Sequence, residues 1–193
     1  SSIRAATAQH GIAFIPGAAE LGDFDPTSTT VALNPAQAQG LLPDGMLDAT
    51  FERYWRESEQ RRQGQKAWRD YTPYELRSVG ALVRMKQADR ALAMLDFFFA
   101  DQRPAGWNQW AEVVMRDPRE PHFLGDMPHA WIASDYIRSV LDLLAYEREE
   151  DGALLLGAGL SEEWLAGGIA VRNLSTRHGP LSYRLSPTAE GHL

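Results

Sequence analysis

The chain has 193 residues, 44% hydrophobic and 23% charged, with 19 basic against 26 acidic side chains and a net charge of −7. That is enough apolar chain for about one domain with a buried core. The acidic balance argues against nucleic acid or an anionic membrane surface as the main partner, because phosphate contacts need clustered Lys and Arg. With no cysteine, disulfides and thiolate metal sites are excluded, which fits both cytoplasm and export.

The start, Ser1-Ser2-Ile3-Arg4, has neither an initiator Met nor a signal pattern and reads as a cut inside a longer chain. No apolar run approaches the ~18 residues of a membrane span. Residues 9–22 carry Gly11, Pro16, Gly17 and Gly22 around a short apolar run, which predicts an extended loop. Asp25-Pro26 then predicts a short helical segment to about Leu33, with Asp25 as its cap and Pro26 in the first position. Residues 34–45 read as loop. A helix over about 47–63 gathers Phe51, Tyr54, Trp55 and Ser58 on one face. Its basic residues Arg61 and Arg62, with Lys66 and Arg69, are interleaved with Glu57, Glu59 and Asp70, the pattern of a solvated face. Thr72-Pro73-Tyr74-Glu75 is a capping box opening a second helix to about Met85. A third helix spans about 88–101, carries Leu92, Leu95, Phe98 and Phe99, and is stopped by Pro104.

Residues 104–127 form a connection long enough to imply a functional role. A fourth helix, about 128–149, is apolar around most of its circumference with a polar stripe of Asp135, Arg138 and Asp142, which predicts burial on nearly all sides. After Gly152 the pattern changes to short strands at about 153–159, 169–173 and 181–185, with a capped turn at Ser161-Glu162-Glu163-Trp164 and a disordered tail after Pro187. The chain thus divides into a helical unit, residues 1–152, and a β-rich extension, residues 153–193.

Chemistry concentrates in the long connection, where Trp107-Asn108-Gln109-Trp110-Ala111-Glu112 precedes Gly125-Asp126-Met127-Pro128-His129-Ala130-Trp131. Aromatic faces stack on sugar rings, while carboxylates and amides hold hydroxyl groups. Glu112 is the sharpest candidate, having two tryptophan neighbours and no capping role. Trp107 and Trp110 are candidate stacking residues, whereas Trp131, on a helix, reads as core. Asp126 sits at a helix N-terminus, where an anion is favoured without any function. His129 has two readings, a buried structural histidine or a group that binds a hydroxyl or tunes a carboxylate. Asp23 and Asp25 alternate along an extended segment and would point the same way; capping accounts for Asp25 but not for Asp23. Tyr74 and Glu75 line the site if their helix aims its N-terminal end there, against the capping-box role of Glu75. His10, His122, His129, His178 and His192 share no ligand spacing and no DxDxDG loop occurs, so no metal site is expected. Phosphate-loop and Gly-x-Ser-x-Gly patterns are also missing.

The strings HGIAFIPGAAELGDFDPTST, YTPYELR, WNQWAEV, FLGDMPHAW, SDYIRSVLDLLAYERE and LSTRHGPLSY carry a resemblance over residues 9–185. The chain resembles the catalytic module of six-hairpin, (α/α)6-toroid glycosidases, closest to bacterial multidomain proteins with an attached discoidin (factor 5/8 type C) domain. The resemblance implies alternating outer and inner helices with the active site in loops at one end, and a mainly α fold of which this chain supplies the C-terminal half, about five or six helices, plus a few β-strands. It also implies a glycoside hydrolase, or a phosphorolytic relative, working by two-carboxylate acid/base chemistry, with Glu112 as general base and the proton donor N-terminal to residue 1. Asp23, Asp25, Tyr74, Glu75, Trp107, Trp110, Asp126 and His129 would bind the carbohydrate substrate, with no cofactor. Half a catalytic pair is expected to be inactive alone, and the missing N-terminal half or a second copy would cover the exposed edge. A discoidin-type neighbour would favour export over cytoplasm. A non-catalytic helical carbohydrate-binding or scaffold module is the alternative. The Asp23-Phe24-Asp25-Pro26-Thr27 stretch also resembles the acid motif of class II terpene cyclases, but Pro26 replaces its last aspartate.

Overall fold

The computed structural model describes residues 2–43, 45–67, 73–102, 105–113 and 125–187. Arg69, Asp70, Thr72, Pro104, His122 and the tail beyond Pro187 lie outside them. Among the described residues the fold is mainly helical and ends in two short antiparallel hairpins. The helices are α1 (Ser2–His10), α2 (Pro26–Leu33), α3 (Met46–Arg62), α4 (Arg77–Arg84), α5 (Ala88–Ala100), α6 (Ala130–Leu144) and α7 (Glu162–Gly167). Single 3-10 turns at Gln39–Leu41 and Pro73–Leu76 join them. The strands are β1 (Ala145–Glu147), β2 (Leu154–Leu156), β3 (Ile169–Thr176) and β4 (Gly179–Leu185).

Helix α4 is the centre of the packing. Ser78, Val79, Gly80, Ala81, Leu82 and Val83 are all buried, with α5 and α6 against it and α2 alongside. Small residues let neighbouring backbones approach: a Cβ on Gly80 would lie 2.9 Å from Asp142 Oδ2 and 3.4 Å from Ser139 Cα. Around α4 the core gathers Leu33, Phe51, Tyr54, Leu76, Met94, Phe98, Ile132 and Leu143. The face predicted for α3 is the one it buries, with Phe51, Tyr54 and Ser58 inward and Trp55 packed against the edge.

Helix α6 corrects an expectation. Two residues of its polar stripe, Asp135 and Asp142, are buried together with Ile132 and Leu143, Arg138 stays partly exposed, and Trp131, Ile137 and Leu141 on its apolar remainder are exposed. The reason lies in α4. Arg77 and Arg84, seven residues apart, meet Asp135 and Asp142, also seven apart, at 2.7 Å and 2.8 Å. Between these pairs the Ser139 hydroxyl donates to Leu76 O and accepts from Gly80 N. Asn34, following α2, donates to Asp142 at 2.7 Å. Two helices thus join through a polar ladder whose charges are paired, the condition for burying them. The end of α6 also differs from expectation: the chain leaves the helix at Ala145, its φ and ψ extended, and enters β1.

The basic end of α3 is likewise not simply solvated. Arg61 turns inward to Glu75, while Arg62 lies over the Trp55 and Phe97 rings. Over the described residues the second predicted helix is a 3-10 turn followed by α4, which ends at Arg84. In the extension, β1 pairs with β2 and β3 with β4, with a register shift between Val171 and Leu174. Ser161 caps α7 as its position predicts, accepting from Trp164 N. Tyr183 donates to Leu144 O and so fastens the second hairpin to the end of α6.

Candidate functional site

Two short segments, 110–113 and 125–129, run side by side in front of α6. Glu112 N donates to Asp126 O at 2.9 Å, Gly125 N to Val113 O at 3.3 Å, and His129 N to Trp110 O at 3.1 Å. This pairing gathers three polar side chains: Glu112, Asp126 and His129 each offer a donor atom, all within 4.8 Å of one another. Gly125 is required beneath them. A Cβ there would lie 2.5 Å from Glu112 Cβ and 2.6 Å from its Oε2, so the Glu112 side chain lies on the bare glycine backbone.

Tyr74, from the 3-10 turn before α4, completes the group. Its hydroxyl is 2.9 Å from His129 Nε2, and the two rings meet edge to face at 5.6 Å. Burial, then the Glu112 charge and a hydrogen bond to Glu112, raise the Tyr74 phenol above its usual value, with Arg77 opposing. The phenol therefore stays protonated at neutral pH and stands between Glu112 and His129. A hydroxyl has one proton to donate, so if it goes to Glu112, Nε2 must donate to the phenol oxygen. Arg77, under the Tyr74 ring and paired with Asp135, links this group to the α4–α6 ladder.

The tryptophans exchange the places expected of them. Trp110 is 7% exposed and packs against Phe99 and Tyr136 at 5.7 Å and 5.0 Å, so its ring is core and offers no stacking face. Trp131 is 69% exposed, with its ring 5.9 Å from that of His129. Being on a helix misleads because the inward side of α6 includes Asp135, Ser139 and Asp142, and Trp131 lies off it. Trp107 is 60% exposed, as a stacking residue would be.

Three other candidates are engaged elsewhere. Asp25 caps α2, accepting from Thr27 N and Ser28 N and from both hydroxyls. Burial raises its pKa, but these hydrogen bonds outweigh that and hold it below the usual value. Asp23 is exposed and closes its own loop by accepting from Ala18 N at 2.8 Å. Glu75 is buried; it accepts from Tyr54 at 2.6 Å and takes both ends of Arg61 at 2.8 Å and 2.7 Å. Its carboxylate is committed to this ion pair rather than to Tyr74's neighbours.

The expectation of no metal site rested on histidine spacing in sequence; the pairing of 110–113 with 125–129 brings one histidine and two carboxylates within 4.8 Å of one another. A cleft of about 640 Å³ lined by Leu33, Gln37, Arg84, Tyr146, Arg148 and Glu149 contains none of the candidate residues. No protein-family model, curated protein or solved structure matches the chain.

Proposed function

We propose that the chain is a carbohydrate-active module whose substrate contacts Glu112, the carboxylate of acid/base chemistry in a glycoside hydrolase. The observation that carries this reading is the convergence of Glu112, Asp126, His129 and Tyr74 beside the exposed ring of Trp131. Carboxylates, an imidazole and a phenol present both donors and acceptors to hydroxyl groups, and the indole supplies an apolar face for a ring. Asp126 holds a hydroxyl here rather than completing an inverting pair. Its oxygen lies within 4.8 Å of Glu112's, and an inverting pair needs about 6.5–9.5 Å to admit water.

That short separation also favours a second reading, a non-catalytic carbohydrate-binding module, since oxygens this close clamp one group between them. Both readings predict sugar contact at Trp131. Titration of a mono- and oligosaccharide panel, followed by tryptophan fluorescence, tests it. Saturable change in the native chain that disappears in Trp131→Ala supports the reading, and a panel without any response contradicts it.

A further inference from the structure

We infer that Glu112, Asp126 and His129 form a binding site for a borderline divalent cation of the zinc class. The inference rests on the same site as the carbohydrate reading, but it fails separately. Two carboxylate oxygens and one imidazole nitrogen are the donor types such ions take, and their mutual distances of at most 4.8 Å need only modest closure. Bond lengths of about 2.0–2.2 Å place tetrahedral donors roughly 3.4 Å apart.

Two further features belong to a built site rather than to a chance grouping of surface acids. The donors are fixed by backbone hydrogen bonds between their segments, and Glu112 is seated over Gly125, where any side chain would displace it. Tyr74 holds the His129 ring by a hydrogen bond at Nε2, orienting the imidazole as outer partners of metal-bound histidines do. The imidazole disfavours magnesium and calcium, which prefer all-oxygen shells. Three protein donors leave at least one position open. With Trp131 beside His129, that position is suited to water or to the paired hydroxyls of a sugar. With the ion bound, Glu112 is a ligand.

Isothermal titration of the untagged chain with zinc chloride tests this, with calcium chloride in parallel. One equivalent of zinc should bind, with calcium weaker by tenfold or more. His129→Ala and Asp126→Asn should each lose tenfold or more in affinity, Tyr74→Phe a smaller factor, and His10→Ala and His178→Ala nothing. Asp126 is exposed and its amide is isosteric, so that variant answers even if His129→Ala does not fold. Absence of saturable zinc binding, or binding indifferent to Asp126→Asn, overturns the site. Sugar binding without zinc binding removes the ion and leaves the carbohydrate reading, whereas zinc binding without sugar response does the reverse.

Discussion

Gly125 and Glu112 are in direct contact, the glycine backbone lying where a Cβ would come within 2.5 Å of Glu112 Cβ. The substitution Gly125→Ala therefore moves the candidate carboxylate while leaving α4 and α6 untouched. Zinc affinity and sugar response should both fall by tenfold or more, with the thermal midpoint shifted by only a few degrees. A midpoint collapse in differential scanning calorimetry would instead make Gly125 a folding residue.

A second contact of this kind lies in the core. Alanine at Gly80 gains helix propensity of about 1 kcal/mol, yet its Cβ would meet Asp142 Oδ2 at 2.9 Å. That oxygen is held by Arg84 and Asn34 and cannot retreat cheaply. Overpacking costs about 1–3 kcal/mol, so Gly80→Ala should be net destabilising in urea denaturation. A gain in stability would mean that the ladder yields.

Removing Arg84 should do more. Asp142 is buried, and Arg84→Ala leaves its charge without its main partner, a change that costs roughly 3–5 kcal/mol. Replacing both residues, Arg84→Met with Asp142→Leu, should recover much of that loss. Equal losses in the single and double variants would show that the pair contributes only packing.

The cap on α2 gives a pH signature. The carboxyl of Asp25 is held below its usual 3.8 by hydrogen bonds that exceed the effect of burial. A depressed folded value means that the stabilisation is present above the unfolded value and is lost as pH falls through the folded one. Asp25→Ala should cost about 0.5–2 kcal/mol at neutral pH, and its deficit should close in acid. Denaturation curves of both proteins between pH 7 and pH 2 measure this; a deficit constant with pH would deny the carboxylate its role.

The helices of this chain were legible where one residue pattern had one meaning. Asp25-Pro26 marked α2, and the spacing of Phe51, Tyr54 and Ser58 fixed the inner face of α3. The orientation of α6 was not legible, because hydrophobicity alone assigns a polar stripe to water. Only the matching Arg77 and Arg84 spacing on α4 reverses it, and helix pairing is a tertiary fact. The same reversal exposed Trp131. Glu112, Asp126 and His129 could be named as candidates from their types, but their meeting depends on the backbone pairing of 110–113 with 125–129. Glu75 was misleading for a different reason: its place in a predicted site does not reveal that its carboxylate is taken by Arg61, fourteen residues away in sequence.

The most direct measurement is sugar release from a panel of aryl α- and β-glycosides and oligosaccharides, with and without phosphate, by an N-terminally extended protein beside its Glu112→Gln variant. Release by the native protein that falls by a hundredfold or more in the variant, with unchanged circular dichroism, is the predicted result. Release that survives the substitution would contradict the role of Glu112, and no release by the folded native protein would contradict the enzyme reading itself.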